Sequence, residues 1–391
     1  MRTRVVVLVG VAAAAFVAGA TSGCGGEADG PPVRASRVKP AADWPVFRGD
    51  RALSGRASGE LPERLALAWR AETSASFITS AVVAGGRVFV GSGDGKVYAL
   101  RLEDGETVWS LETDDAVEAP PCVAEGLVVV GSNDGRLYAI EAESGRLRWT
   151  YETDDKILGS ANWVRAPDGK GTWVLVGSYD SCLHCVDAAT GEAVWTYATE
   201  NYVNGATAVV GDVAVVGGCD AGIHVVSVVD GAAREVIGAG SYIAGSVAVA
   251  GGRVFVGQYE GELLCADLES GEVVWAYLAE GDAIMSSPAV GEDRVVIGGR
   301  DAQLHCVRRD TGEMLWRFQA RGAIDSSPVI CGDRVLVGSD DGRLYMVGLS
   351  DGALRWSFDL GGSVTSTPAV AGYMVVVGGD DGCVYAFGPA P

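Results

Sequence analysis

Short runs of alternating apolar and polar residues, each bounded by Gly, Asp or Ser, fill most of this chain. Between Ala323 and Trp356 they cover Ile324–Ile330, Arg334–Ser339, Arg343–Val347 and Ala353–Trp356. Alternation with a period of two between turn residues predicts four antiparallel strands joined by tight turns. Because one such sheet cannot cover both of its own faces, the pattern predicts a blade of a β-propeller, on which neighbouring blades stack.

The same unit recurs along the chain about every forty residues. Its last strand carries a Trp, at Trp69, Trp109, Trp149, Trp195, Trp275, Trp316 and Trp356, and we assign Val236 to the same place between Trp195 and Trp275. Its central hairpin turn begins with an acid, at Asp94, Asp134, Asp180, Asp220, Glu260, Asp301, Asp341 and Asp381. These turns predict an all-β, eight-bladed β-propeller of four-stranded antiparallel blades spanning residues 65–388.

The two ends of the repeat array predict how the ring closes. The last unit, Val364 to Phe387, ends before any Trp strand, whereas Leu65 to Trp69 is a Trp strand with no unit before it. We therefore expect this N-terminal strand to complete the last blade, which leaves only short, protected sheet edges.

Composition and charge exclude several classes of partner. The chain has 391 residues, 56 of them Gly, and a formal net charge of -21. A strongly acidic surface repels nucleic-acid phosphates and anionic lipid headgroups, so we expect neither as a partner of the folded part. We expect a monomer that binds another protein.

The N-terminal residues predict export and a membrane anchor. Arg2 and Arg4 precede an apolar run from Val5 to Ala20, which is typical of a signal peptide over residues 1–23. Small residues before Cys24 resemble the bacterial lipobox, so we expect a lipidated Cys24 and an extracytoplasmic protein of the cell envelope. Thr21 stands where lipoboxes usually carry Leu, and an ordinary cleaved signal is the alternative. A Gly- and Pro-rich tether follows to residue 43, then a lead-in segment, residues 44–64, with Trp44–Gly49 expected to cross one mouth or the outer wall of the ring.

Propeller topology places the acidic hairpin turns on the same face as the connections between blades. Asp suits the hairpin turns for structural reasons, so we expect the hairpin acids to be structural. The connections and the irregular blades 4 and 5 are freer to carry function, and acids beside aromatic residues favour protein binding. The predicted partner surface comprises Asp114, Asp115, Asp154, Asp155, Glu200, Tyr202, Tyr242 and Tyr259. On the opposite face, the long loop Arg165–Thr172 between Trp163 and Trp173 is a second candidate contact.

No catalytic residue and no metal site are predicted. His184, His224 and His305 fill the third-strand place held elsewhere by Tyr98, Tyr138, Tyr345 and Tyr385, so we expect them to pack in separate blades. Cys182 and Cys185 lie three apart on a strand and should point to opposite faces, so they should not form a disulfide. All other pairings stay open among Cys122, Cys182, Cys185, Cys219, Cys265, Cys306, Cys331 and Cys383.

The turn-and-Trp segments Cys185–Trp195 and Cys265–Trp275 resemble the repeat of the pyrroloquinoline-quinone (PQQ) β-propeller family, over Leu65 to Phe387. The resemblance implies that each Trp docks its blade on the next through stacking and a hydrogen bond. The family includes PQQ-dependent dehydrogenases and non-catalytic, BamB-like exported lipoproteins. The dehydrogenases usually carry adjacent cysteines and long inserted loops, which this chain lacks, so the resemblance favours a BamB-like scaffold without a cofactor. The alternative is a PQQ enzyme or PQQ-binding protein that holds quinone and calcium at the acidic face.

Overall fold

The computed structural model describes residues 43–279 and 282–390, which form strands and turns without a helix. The strands before blade 1 are β1 (Arg56–Ala57) and β2 (Leu65–Glu72). Blade 1 comprises β3 (Val82–Ala84), β4 (Arg87–Ser92), β5 (Lys96–Arg101) and β6 (Thr107–Glu112), and blade 2 comprises β7 (Cys122–Ala124), β8 (Leu127–Gly131), β9 (Arg136–Glu141) and β10 (Leu147–Glu152). Blade 3 comprises β11 (Asn162–Arg165), β12 (Thr172–Gly177), β13 (Cys182–Asp187) and β14 (Ala193–Ala198), and blade 4 comprises β15 (Ala208–Val210), β16 (Val213–Gly217), β17 (Gly222–Ser227) and β18 (Ala233–Gly238). Blade 5 comprises β19 (Ala248–Ala250), β20 (Arg253–Gly257), β21 (Glu262–Asp267) and β22 (Val273–Leu278), and blade 6 comprises β23 (Ala289–Val290), β24 (Arg294–Gly298), β25 (Gln303–Arg308) and β26 (Met314–Gln319). Blade 7 comprises β27 (Val329–Cys331), β28 (Arg334–Gly338), β29 (Arg343–Gly348) and β30 (Leu354–Asp359), and blade 8 contains β31 (Ala369–Ala371), β32 (Met374–Gly378) and β33 (Cys383–Pro389).

The predicted eight-bladed propeller and its closure are both confirmed. Each sheet holds four antiparallel strands, and the short β1 joins blade 7 as a parallel fifth. In blade 8 the outer strand is β2, which pairs antiparallel with β33 from Leu65↔Pro389 to Glu72↔Cys383. The two ends of the repeat array therefore share one sheet, and the ring has no open seam at this point.

Six of the seven predicted tryptophans dock on the next blade as the family resemblance implied, whereas Trp356 contacts the Phe387 ring of blade 8. The Trp69 indole N–H donates to the Leu102 carbonyl at 2.8 Å, across the boundary between blades 8 and 1. Its ring lies over Gly105, where a Cβ would approach it to 2.5 Å. The same bond links Trp109 to Ala142, Trp149 to Ala188, Trp195 to Val228, Trp275 to Arg309, and Trp316 to Leu349. Each docking site thus requires a Gly on the blade that receives the indole.

The assignment of Val236 to the Trp place in blade 4 is wrong. Strand pairing sets Glu235 opposite Val225, as it sets Trp195 opposite Cys185, so Glu235 holds that place. Gly271 of blade 5 nevertheless keeps the docking position, because a Cβ there would lie 3.2 Å from the Glu235 side chain. Blade 5 therefore retains the docking glycine for an indole that blade 4 does not have.

Serine hydroxyls link the segments that lead into the inner strands of neighbouring blades by hydrogen bonds. Ser246 Oγ accepts from the Ala206 N–H at 2.8 Å, and Ser287 Oγ accepts from the Ser246 N–H at 2.9 Å. Ser327 Oγ continues the series by accepting from the Ser287 N–H at 2.9 Å. The inner-strand serines therefore bond one blade to the next.

The lead-in segment crosses one mouth of the ring, which is one of the two courses expected for Trp44–Gly49. Its carbonyls accept backbone N–H bonds from the inner strands of blades 1, 2, 4, 5, 6 and 7, and Arg51 also accepts from the Asn162 side chain of blade 3. Arg48 is fully buried, and its guanidinium donates to the carbonyls of Pro328 and Pro288 at 2.7 and 2.8 Å. Burial lowers the pKa of Arg48 to about 9, so it stays charged at neutral pH. This mouth, on the side of the turns between first and second strands, is covered.

Candidate functional site

The acidic face is the candidate site because it surrounds the mouth that the lead-in segment leaves uncovered. It is formed by the hairpins between second and third strands and by the connections between blades. In each connection the backbone joins the neighbouring hairpin, as where the Tyr259 N–H donates to the Tyr242 carbonyl at 2.9 Å. Side chains from different blades are therefore held in fixed order around this mouth.

The hairpin acids fold the turns on which they lie. Asp134 Oδ1 accepts from the Arg136 N–H at 2.8 Å, and its Oδ2 accepts from the Tyr138 hydroxyl at 2.5 Å. The same carboxylate accepts from the Asp114 N–H at 3.0 Å, which ties the incoming connection to the hairpin. Equivalent bonds within the turn at Asp94, Asp180, Asp220, Asp301, Asp341 and Asp381 give the hairpin aspartates a structural role, whereas in blade 5 the Gln258 side chain accepts from the Glu260 N–H.

The three histidines lie in separate blades and each replaces a Tyr in this arrangement. His184 Nε2 lies 3.0 Å from Asp180 Oδ2, and its Nδ1 lies 3.0 Å from the Tyr151 hydroxyl of blade 2. His224 and His305 make the equivalent pairs, with Asp220 and Tyr197 and with Asp301 and Tyr277. Each His therefore links two blades through polar bonds on both ring nitrogens.

The predicted acids differ in the hydrogen bonds that their carboxylates make. Asp114 bonds Arg136, while Asp115 Oδ1 and Asp155 Oδ1 each accept from the next backbone N–H at 2.7 Å. Asp154 and Glu200 are exposed, and their backbone N–H groups donate to the hairpin acids Asp180 and Asp220. Asp154 and Glu200 are therefore the acids best placed to meet a partner without disturbing the turns.

The predicted tyrosines form an aromatic arc on blades 3 to 5, together with one residue that the sequence analysis missed. Tyr242 and Tyr259 are 58% and 52% exposed. Tyr202 stacks on Tyr179 with ring centroids 4.6 Å apart, and the Lys156 ammonium lies 4.6 Å from the Tyr179 centroid. Tyr179 holds the same repeat position as Tyr259, directly before the hairpin acid, and this match was the signal that could have revealed it.

Acids at the axial end of blades 6 to 8 were also missed. Asp325 bonds the Arg300 guanidinium at 2.8 to 3.2 Å, and Asp380 accepts from the Thr365 hydroxyl at 3.1 Å. Burial and the carboxylates of Asp325 and Asp380 raise the pKa of Asp340, and burial and Asp381 raise the pKa of Asp380. Aligning the residue before each hairpin acid would have placed Asp340 and Asp380 with Tyr179 and Tyr259.

A cavity of about 560 Å³ opens on this face between blades 8, 1 and 2. Its lining includes Phe77, Thr79, Glu118, Pro120, Thr365 and Asp380. PQQ is a polycarboxylate, and among the described residues that line this cavity none is Lys or Arg. Glu118 and Asp380 would repel such an anion, so the cavity does not fit PQQ and suits a cation better.

The two tryptophans that flank the long loop of blade 3 make contacts within the ring. The Arg51 guanidinium of the lead-in segment lies 4.7 Å from the Trp163 ring centroid, a cation–π contact. Trp173 packs against the hydrophobic core shared by blades 3 and 4. Both indoles therefore support the fold, which weakens the case for this loop as a contact site.

The eight cysteines in the described part of the chain carry no disulfide. Cys182 and Cys185 do not bridge, as predicted. Burial raises the pKa of Cys122 to about 12 and those of Cys265 and Cys331 to about 11. Since a nucleophilic Cys needs an accessible thiolate, these buried thiols are packing residues.

Comparison with known proteins gives one family and several structures. The family model described as outer membrane protein assembly factor BamB matches residues 61–170, 160–234, 225–322, 279–345 and 300–390. No curated protein matches the chain. In the described residues no helix is long and apolar enough to cross a membrane.

Three solved structures share the fold at low sequence identity. BamB from Moraxella catarrhalis is 21% identical, with a TM-score of 0.70 over 83% of this chain and 100% of that chain. The computationally designed Ika8 protein is 18% identical, with a TM-score of 0.73 over 82% and 99%. A europium-containing methanol dehydrogenase is 14% identical, with a TM-score of 0.75 over 90% and 98%. At these identities the likeness concerns the fold alone.

Proposed function

This chain belongs to the PQQ-repeat family whose model is described as outer membrane protein assembly factor BamB, and from that premise we propose that it is a non-catalytic scaffold that binds another protein in the cell envelope. The assembly of outer-membrane proteins is the process that the family description suggests. Fold alone does not decide function, so the proposal depends on the site.

The observation that carries the proposal is the difference between the two mouths of the ring. The lead-in segment covers one of them with buried hydrogen bonds, whereas the other presents the aromatic arc beside acids. Exposed tyrosines are frequent anchors of protein interfaces, and a rim of carboxylates selects partners with positive charge. We therefore infer that the partner docks a basic segment on the acidic face.

A pair of exposed tyrosines on the acidic face provides the first test. We expect the double substitution Tyr242→Ala and Tyr259→Ala to abolish capture of a specific protein from a solubilised envelope extract, because truncating interface anchors commonly costs about 2 kcal/mol or more each. The matched control is Tyr373→Ala, since Tyr373 is 49% exposed but lies on the opposite face. Loss of the same captured protein with Tyr373→Ala, and not with the double variant, would move the site to the other mouth.

The charge of the surface provides a second test. We expect Asp154→Lys together with Glu200→Lys to weaken capture, and capture by the unsubstituted protein to fall as salt is raised, because salt screens exposed charges. Capture that is equally strong in high salt and in the charge-reversed variant would contradict a basic partner segment.

Export and anchoring are part of the proposal and depend on the leader sequence. Residues 1–42, including Cys24, lie outside the described residues. We infer that the mature protein is tethered to a membrane through a lipidated Cys24. Metabolic labelling with a radioactive fatty acid is expected to mark the unsubstituted protein and not Cys24→Ala, and equal labelling of both would refute the anchor.

The PQQ-dependent alternative has its own test. Because the cavity between blades 8, 1 and 2 is lined by Glu118 and Asp380 and by no Lys or Arg among the described residues, we expect calorimetric titration with PQQ, with and without calcium, to show no saturable binding. Saturable binding would favour a dehydrogenase or PQQ-binding protein and would justify screening alcohols and sugars with an artificial electron acceptor.

A further inference from the structure

The central hairpin of blade 3 brings three different metal-ligating side chains together. One ligand atom each from Asp180, Cys182 and His184 lies within 4.8 Å of the other two. Among the residues that the structure describes, this is the one compact group of three His, Cys, Asp or Glu side chains. A thiol, an imidazole and a carboxylate within this distance can reach one small cation.

The hairpin itself produces this arrangement. Cys182 and His184 are two residues apart on β13, so their side chains point to the same face. Asp180 lies in the preceding turn, where its Oδ1 accepts from the Cys182 N–H at 3.0 Å, and its Oδ2 lies 3.0 Å from His184 Nε2. The side chains of His184 and Asp180 are 7% and 8% exposed, while Cys182 is half-buried. An ion could therefore enter from the side of Cys182.

We propose that Asp180, Cys182 and His184 form a Zn²⁺ site at the edge of the acidic face. Zn²⁺ accepts thiolate, imidazole and carboxylate ligands in a tetrahedral arrangement, and three protein ligands leave the fourth position to water or to a donor from a partner. A metal on His184 Nε2 requires the proton on Nδ1, and the Tyr151 oxygen lies 3.0 Å from Nδ1 to accept it. Such an outer bond orients the imidazole and strengthens the ligand.

Comparison of the blades separates this site from the ordinary structure of the repeat. Blades 4 and 6 keep the Asp and the His, and the blade before each of them supplies the Tyr. Where blade 3 has Cys182, blade 4 has Gly222 and blade 6 has Gln303. Blade 8 has Cys383 at that place, but Tyr385 where blade 3 has His184. The Asp–His pair therefore forms without a thiol, and a thiol occurs without a His. Blade 3 alone among the described blades combines all three ligands.

The test is Zn²⁺ binding by the full-length, untagged chain after reduction and chelator treatment. We expect calorimetry to show one Zn²⁺ per chain, and Co²⁺ to give a thiolate-to-cobalt charge-transfer absorption in the near ultraviolet. Cys182→Gln copies blade 6, so it should fold normally while losing the charge-transfer band and the stoichiometric binding. Tyr151→Phe, which keeps all three ligands, should weaken binding by about 10- to 100-fold.

The control removes the Asp220–His224 pair, which has Gly222 at the place of Cys182. His224→Tyr with Tyr197→Phe gives the boundary between blades 3 and 4 the Tyr and Phe combination that Tyr345 and Phe318 form between blades 6 and 7, and it should leave Zn²⁺ binding unchanged. Absence of stoichiometric Zn²⁺ binding by the unsubstituted chain would overturn the site. Binding that Cys182→Gln retains would also overturn it, because the ion would then lie elsewhere.

Discussion

The third strand carries either Tyr or His beside the hairpin acid, and the residue that it meets on the outer strand of the preceding blade differs between the two cases. Where the third strand carries His184, the outer strand of the neighbour supplies Tyr151, whose hydroxyl meets the ring nitrogen. Where it carries Tyr345, the neighbour supplies Phe318, with ring centroids 5.2 Å apart. Tyr345 bonds Asp341 through its own hydroxyl and needs no second polar partner. Aligned repeats show the His–Tyr exchange, but the matching residue becomes visible only when the blades are placed side by side.

Asp340 gives a prediction on pH dependence. Its pKa is raised in the folded protein, so folding stabilises its protonated form, and stability falls as the pH rises from the unfolded value of 3.8 through the folded pKa. We therefore expect Asp340→Asn to raise Tm at pH 7, where the carboxylate is charged, and to leave Tm nearly unchanged at pH 3. Calorimetry at both values checks this, and a lower Tm at pH 7 would contradict the repulsion that we infer.

Arg48 gives a second prediction at this scale. Its guanidinium satisfies two buried carbonyls, and removing it leaves both without these donors and opens a cavity under the ring. We expect Arg48→Ala to lower the free energy of unfolding by about 2 to 4 kcal/mol. Arg51→Ala, on the same segment but at an exposed residue, is the control in urea denaturation and should cost less.

Strands and turns were predictable because their signals are local, whereas the exact place of each residue depends on pairing. The runs of period two and the acidic turns were enough to predict the blades and the closing strand β2. The assignment of Val236 failed because blade 4 has no Trp to mark the register, although the docking Trp lies four residues after its turn Gly, as at Gly191 and Trp195. Counting from Gly231 would have given Glu235. The aromatic arc was found only in part, since Tyr179 becomes a candidate only when neighbouring turns are superposed.

Blade 4 offers a stabilising substitution at this scale. Because Gly271 keeps the docking position, we expect Glu235→Trp to place its indole over this glycine and to raise the free energy of unfolding by about 1 to 2 kcal/mol. Val236→Trp, one residue along the strand at a side chain that is 49% exposed, should give no gain. Equal effects of the two substitutions in thermal unfolding would contradict the docking model.

At the scale of the whole molecule, the lead-in segment links seven blades, because it forms hydrogen bonds in turn with the inner strands of blades 1 to 7. Such a segment ties together elements that are far apart in sequence, and it decides which mouth is left for a partner. Its course could not be predicted, because irregular backbone has no periodicity, and only its apolar anchors indicated that it packs on the ring.

Removal of the part of the lead-in segment that bonds the inner strands, up to Ala57, tests this role. We expect a chain that begins at Ser58 to lose several kcal/mol of stability, at about 1 kcal/mol for each backbone hydrogen bond lost. A chain that begins at Asp43 keeps the segment and should melt as the full-length chain does. Equal Tm values for both truncations would show that the segment adds nothing to the ring.

Closure by β2 also sets an order of events during synthesis. The ribosome makes β2 before any blade, yet its pairing partner β33 is made after every other described strand. The strand β2 must therefore wait, unpaired, until β33 has been made, and a product that stops before β33 never acquires the partner of β2. Closure of the ring thus depends on the last described strand, so copies that stop before it keep an open edge that proteases can recognise.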